Sequence, residues 1–215
     1  MVLGIETAGA QGGVALVSLG GGEHEFVLPM GRSGGGVLPA AVDALLRLAA
    51  AKREEIELIA VDIGPGSFTG LRVGLAFAQG MAQALQVPVV GVRHTEALAG
   101  PVAWWPGKVA VWIHDRREFV YMAWATRDRV GAEAVLPWRE ALAKVVEQPG
   151  ALLVGSGVEQ FRDEIATCAP GVTCAGARFA HPRASEVARQ GWDRFQSGGP
   201  DDPRPLAPHY VHKED

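Results

Sequence analysis

The sequence predicts an α/β protein built from two related lobes, each a mixed β-sheet covered by helices. Three observations carry this. The first hundred residues read β-β-β-α-β-α-β, and the second half opens on another β-rich run. Between them lies a joint rich in proline, glycine and tryptophan, Gly100-Pro101-Val102-Ala103-Trp104-Trp105-Pro106-Gly107. The expected division is residues 1–100 for lobe I and 101–215 for lobe II, the second a decayed repeat with a C-terminal tail.

Each element has its own signal. Val2 to Glu6 is a short apolar strand, and Gly12-Gly13 separates it from a second at Val14 to Leu19. Gly20-Gly21-Gly22 turns the chain into a third, His24 to Leu28. After Gly31 to Gly36, Leu38, Ala41, Val42, Leu45, Leu46 and Ala49 recur at helical spacing and predict a helix from Val37 to Ala51. Leu58 to Ile63 is a buried strand, Ser67 starts a second helix, and Val87 to Val92 closes the lobe. In the second half, Lys108 to His114 and Phe119 to Thr126 flank a turn, and Val130 to Leu136 is a third strand. A helix at Trp138 to Glu147, a strand at Ala151 to Val154, and helices at Val158 to Cys168 and Ala184 to Phe195 follow. The stretch after Ser197, rich in Pro, Gly and Asp, reads as a surface tail.

Composition narrows the function. Of 215 residues 48% are apolar and 20% charged, which is ordinary for a folded domain of this size. The net charge of −4 and pI near 5.9 disfavour independent gripping of a phosphate backbone. Arg116, Arg117, Arg127 and Arg129 read either as a small basic patch on lobe II or as a solvated hairpin rim. Cys168 and Cys174 fit reduced thiols rather than a disulfide framework or a zinc knuckle. No secretory signal is read at the start, and a cytoplasmic location is expected. Nothing is charged between Arg72 and Arg93. Even so, Gln79, Gln83 and Gln86 mark one polar stripe and Pro88 stops the helix, so no membrane span is predicted.

The densest segment runs from Asp62 to Gly74, DIGPGSFTGLRVG. A buried strand enters a Gly-Pro-Gly turn, and Ser67 is placed to cap the next helix. Two readings fit: a tight capped turn, or an anion niche formed by Glu6, Thr7, Gly64, Gly66, Ser67 and Thr69 around free N–H groups. The spacing is not that of a Walker loop, a dinucleotide fingerprint or a nucleophile elbow. Farther along, Gly70, Gly74 and Ala78 fall at i, i+4, i+8 with Leu71 and Leu75 beside them. This smooth ridge, with Leu38, Val42 and Leu45 of the preceding helix, serves either packing within one subunit or an interface between subunits.

Gly64-Pro65-Gly66-Ser67-Phe68-Thr69-Gly70-Leu71-Arg72-Val73-Gly74, with Ala78-Gln79-Gly80 and Pro88-Val89-Val90-Gly91-Val92, resembles the signature of the TsaB (YeaZ-like) family. Ile5-Glu6-Thr7-Ala8 is similar to that family's first-strand motif, with Glu6 where aspartate is usual. The segments from His114 to Tyr121, Val154 to Gly157 and Pro208 to Val211 also resemble it, in order along nearly the whole chain. Two further departures are Gly34-Gly35-Gly36, where relatives can hold a histidine, and His212, where arginine is common. The resemblance implies an actin-like/Hsp70-like ATPase fold. It also implies a non-catalytic role beside the paralogue TsaD and the ATPase TsaE in placing threonylcarbamoyl on adenosine 37 of tRNA. In that family the lobe I helices serve both self-association and pairing with TsaD. ATP and a metal are then expected in the partners, with none bound here, and tRNA is reached indirectly.

The residues themselves offer no catalytic constellation. The helix from Val37 to Ala51, where the catalytic paralogue holds a metal with a histidine pair, has no histidine. His24, His94, His114, His181, His209 and His212 make no His-Glu-x-x-His motif, so no metal site is assigned. His114 beside Asp115 reads as a hairpin end, because adjacent strand residues face opposite ways. A phosphotransferase or ATPase of the same fold remains an alternative, with Gly155-Ser156-Gly157 a weak adenosine loop, and a metallopeptidase is another.

Overall fold

Alternation along β1 (Val2–Glu6) decides what lies on each face of the first sheet. In the computed structural model, which describes residues 1–30, 34–199, 201 and 206–211, β1 pairs antiparallel with β2 (Gln11–Val17), and β2 with β3 (Glu23–Pro29). Helix α1 (Leu38–Leu48) then leads to β4 (Leu58–Gly64), which lies parallel to β1 on its other side. Helix α2 (Phe68–Leu85) connects β4 to β5 (Val89–Arg93), again parallel. The sheet order is β3-β2-β1-β4-β5. Leu3, Ile5, Ile59 and Val61 point to one face and meet Leu38, Leu45, Leu75 and Ala78 of α1 and α2. Val2, Leu58 and Ala60 point to the other.

That second face is covered from the far end of the chain. Helix α7 (Ala184–Gly198) lays Val187 and Ala188 against Val2, Leu58, Val90 and Val92. The approach is close: a Cβ on Gly4 would collide with the carbonyl of Ala184, and one on Gly191 with Ala60. Arg183 and Ser185 both bond Glu25 on β3, and Arg189 pairs with Glu23. One compact unit therefore comprises residues 1–97 and 182–209, the other 98–181 and 210–215. The expected division at residue 100 is corrected in this respect. The chain returns to the first lobe at Pro182, because its sheet has two apolar faces and α1 and α2 cover only one.

The second unit repeats the plan. Helix α3 (His94–Ala99) crosses the boundary, and β6 (Val109–His114), β7 (Phe119–Ala125) and β8 (Ala134–Pro137) form an antiparallel meander. Helix α4 (Trp138–Val146) is followed by β9 (Leu152–Val154), parallel to β6. Helices α5 (Ser156–Gln160) and α6 (Arg162–Cys168) come next, and β10 (Thr173–Cys174) lies parallel to β9. Ala110 and Trp112 face α4, α5 and α6, while Val109, Val111 and Ile113 pack with Leu98 and Val102. Arg116 and Arg117 lie in the turn before β7, Arg127 and Arg129 in the turn after it. A strand of that length spans about 20 Å, so the four arginines form two separate rims rather than one patch.

The tail after Ser197 is described only in part. Asp201 bridges to Val89, and Gln79 bonds the carbonyl of Leu206. His212, singled out in the sequence, lies outside the described residues. Among the described residues, no helix is long and apolar enough to cross a membrane.

Candidate functional site

The parallel strands β1, β4 and β5 lie side by side, and their carboxyl ends bring three chemistry-bearing side chains together. Glu6 is the last residue of β1, Asp62 lies near the end of β4, and His94 follows β5 directly. In open α/β sheets this edge, beside the strand where the order changes direction, is where ligands bind. All three residues are buried, with relative exposures of 0%, 0% and 1%.

Glu6 folds its carboxylate back over its own turn, where Oε1 accepts hydrogen bonds from the N–H groups of Ala8 (2.7 Å) and Gly9 (3.0 Å). Its other oxygen, Oε2, is buried without a hydrogen-bond partner. Asp62 Oδ1 accepts from the Gly64 N–H (2.7 Å), and Oδ2 lies 2.7 Å from His94 Nδ1. A carboxylate only accepts, so Nδ1 carries the proton in this arrangement. His94 Nδ1 is also 3.6 Å from Glu6 Oε1. One ligand atom from each of the three side chains lies within 4.8 Å of the others, close enough to surround a single cation.

The electrostatics follow from burial. Desolvation, and then the neighbouring Asp62 carboxylate, push Glu6 up to about 8, against the pull of His94 and the two backbone N–H groups. For His94, burial opposes the charge, but the Asp62 carboxylate, its hydrogen bond and Glu6 outweigh it and raise the imidazole above its ordinary value. Glu6 and His94 therefore do not titrate independently of one another.

The residues expected to form an anion niche are present but engaged. Thr7 is buried and its Oγ1 donates to the carbonyl of Gly70 (2.8 Å). The Ser67 N–H donates to the Ala8 carbonyl (2.8 Å), and Ser67 Oγ caps α2 by accepting from the Gly70 N–H (3.2 Å). The Gly64 N–H is taken by Asp62, and a Cβ on Gly66 would lie 2.6 Å from the Ala8 carbonyl. Of the six niche residues, Thr69 and Ser67 alone are exposed. The Gly64 and Ser67 N–H groups and the Thr7 hydroxyl are thus bonded within the chain, and Ser67 acts as the cap of α2.

The expected interface residues need a similar correction. Leu38, Val42, Leu45, Leu71, Gly74, Leu75 and Ala78 are buried within the first unit. Gly70 is half-buried and backs onto Thr7: a Cβ on either Gly70 or Gly74 would collide with Thr7. The small-residue ridge lets α2 approach the end of β1 and is not an open surface. What α1 and α2 leave outward is a different set: Leu48 is 63% exposed, Phe68 55% and Val37 43%. Arg72 stacks over the Phe68 ring, 3.8 Å from its centroid.

His114 and Asp115 do not act on one another. His114 Nε2 lies 3.2 Å from the carbonyl of Arg117, and Asp115 accepts from the Tyr121 hydroxyl (3.2 Å). Asp62 and His94 are the site residues that spacing along the chain does not reveal. Their signal is positional, each being a polar residue at the carboxyl end of an apolar parallel strand.

Comparison with known proteins fits this architecture. Residues 36–175 match the family model of TsaD, tRNA N6-adenosine threonylcarbamoyltransferase. An uncharacterised protein of Mycobacterium tuberculosis is 34% identical over 179 residues, covering 83% of this chain and 72% of that one. The Haemophilus influenzae tRNA threonylcarbamoyladenosine biosynthesis protein TsaB is 28% identical over 152 residues, 69% of this chain and 64% of its own. Among solved structures, YeaZ from Pseudomonas aeruginosa superposes with a TM-score of 0.79 at 23% identity, over 98% of this chain and 99% of that chain. A ROK hexokinase from Thermus thermophilus reaches 0.51 at 13% identity, over 92% and 99%. These two likenesses are of fold, and they agree with the two-lobed actin-like/Hsp70-like plan. By the match across most of its length, the chain belongs to the family that the TsaD model describes, as one of its TsaB-like (YeaZ-like) members.

Proposed function

We propose that the chain is a non-catalytic partner subunit that pairs with a TsaD-like paralogue, beside a TsaE-like ATPase. In this role it supports threonylcarbamoyl transfer to adenosine 37 of tRNAs reading codons that start with A, in the cytoplasm. One observation carries the reading. The chain matches the transferase family across α1 and α2, yet α1 offers no histidine and the one cluster with metal-ligand chemistry among the described residues is sealed from solvent. A group that touches no solvent has no path to a tRNA base or an acyl adenylate.

The pairing surface we propose uses the outward faces of α1 and α2, centred on Leu48 and Phe68, rather than the buried ridge between them. An exposed Phe with an Arg stacked on it is the kind of anchor that dominates protein interfaces. The isolated chain is expected to self-associate through the same faces. The test is co-purification with the paralogue using Phe68→Glu and Leu48→Glu, both at side chains more than half exposed. Each is expected to weaken pairing by about 30-fold or more and to lower tRNA modification in parallel, with an unchanged Tm. Full modification when pairing has been shown to be lost, or turnover by the purified chain alone, would sink the proposal.

A further inference from the structure

We propose that Glu6, Asp62 and His94 bind a single divalent cation of the zinc or manganese class, as a structural tie across the carboxyl ends of β1, β4 and β5. The proposal starts from two independent observations. One is the grouping itself, two carboxylates and an imidazole within 4.8 Å of one another. The other is Glu6 Oε2, fully buried and without a partner. A buried acceptor left unsatisfied costs about 1–3 kcal/mol, more when charged, so such atoms normally mark a bound water or ion.

Charge balance points to a cation rather than a water. Two buried carboxylates beside one imidazole carry an excess of negative charge or hold protons in place of it. A divalent ion neutralises both carboxylates and leaves the imidazole neutral, in the form in which it ligates. Binding would release the proton now on His94 Nδ1, along with any proton held by Glu6. The donor set discriminates among ions. Calcium takes six to eight oxygens, and magnesium keeps several waters, for which a sealed site has no supply. An imidazole with two carboxylates suits zinc, manganese or ferrous iron. The backbone bonds to Glu6 Oε1 and Asp62 Oδ1 already act as the outer shell that fixes a ligand's orientation.

Such an ion would join three segments that are distant in sequence, the β1–β2 turn, the Gly64 turn and the start of α3. Because the site is closed, entry belongs to folding rather than to diffusion into the native state. The proposal departs from the expectation that this subunit holds no metal. This is a different matter from catalysis and does not depend on the pairing proposal.

The test refolds the full chain from denaturant with a chelator, then with Zn2+, Mn2+ or Mg2+ alone, followed by desalting. Metal content and Tm are then measured. About one equivalent of zinc or manganese is expected to remain and to raise Tm, with no retained magnesium. Glu6→Gln keeps the Oε1 acceptor and the side-chain shape, and His94→Gln removes the nitrogen ligand. Each is expected to fold, by circular dichroism, and to bind at least about 100-fold more weakly. If His94→Gln fails to fold, Glu6→Gln decides alone. Retention below about a tenth of an equivalent by the parent chain with no Tm shift would overturn the proposal. So would equal retention by the parent and Glu6→Gln, which would assign the ion to surface histidines.

Discussion

The two sheets of this protein share one backbone plan and differ in what their strand ends carry. The first runs β3-β2-β1-β4-β5 and the second, in the same sense, β8-β7-β6-β9-β10. In both, an antiparallel meander is followed by two parallel strands. Even the exits correspond: Gly64 at the end of β4 has φ +101° and Gly155 just after β9 has φ +104°, each leading into a helix. At the ends of the central strands the likeness stops. Glu6 closes β1 in a buried cluster, whereas His114 closes β6 near the surface, bonded to a turn carbonyl. Where the first sheet gathers carboxylates, the second packs the Trp112 backbone and Cβ against Gly155 and Gly157. The backbone plan is common to both sheets, and the buried carboxylate cluster occupies one of them.

Removing the polar end of each sheet should break the comparison most sharply. Asp62→Ala leaves His94 without its 2.7 Å partner and orphans the Gly64 N–H. The loss of one member of a buried charged pair costs about 3–5 kcal/mol, and chelator-treated protein should show it by urea denaturation. His114→Ala, at the end of β6, the counterpart in the second sheet of Glu6 on β1, should stay within about 0.5 kcal/mol of the parent. Equal costs would mean that the second copy holds a cluster of its own.

The shared exits should separate by a smaller margin. A Cβ on Gly155 would collide with the backbone carbonyl of Trp112, which cannot move without moving β6. One on Gly64 meets first the Leu71 side chain, at 2.9 Å from Cδ1, which can rotate. Both positions carry a positive φ that costs an alanine about 1–2 kcal/mol. Gly64→Ala should therefore cost about 2 kcal/mol and Gly155→Ala about 3 kcal/mol or more. The midpoints of denaturation decide the order.

The same contrast explains what could be read from the sequence. β1 was legible to the residue because its five residues are uniformly apolar up to Glu6, and α1, α2 and α4 because their apolar stripes repeat at helical spacing. Gly12-Gly13 read as a strand break but lies inside β2, paired with Leu28 and Val27. Those glycines are there because the Glu6 and Phe26 carbonyls approach too closely for a side chain, a contact local pattern does not encode. Helix α3, six residues long, is too short to show a period. The apolar stripe of α7 was visible, while the sheet it covers was not, since both lobes offer an apolar face. The cluster was hidden for a related reason. Glu6, Asp62 and His94 become neighbours only through strand order, and no local spacing in the sequence links them.

The smallest effect tests how each sheet hands its chain to a helix. Ser67 caps α2 through Oγ, its side chain accepting from the Gly70 N–H, whereas α5 begins at Gly155 with no side-chain cap. An 18-residue helix with a cap and a five-residue helix without one should respond differently to losing side-chain oxygens at their entrances. Ser67→Ala should cost about 1 kcal/mol, the usual loss for an N-cap serine, and lower Tm by a few degrees. Ser156→Ala removes instead the hydroxyl that accepts from the His114 N–H (3.0 Å), a bond from strand to helix rather than a cap. Its expected cost is also near 1 kcal/mol, so the two changes differ in where the helix frays. Hydrogen exchange should quicken in the first turn of α2 for Ser67→Ala, and at His114 on β6 for Ser156→Ala. Faster exchange confined to β6 in both variants would show that α2 holds its first turn without the serine.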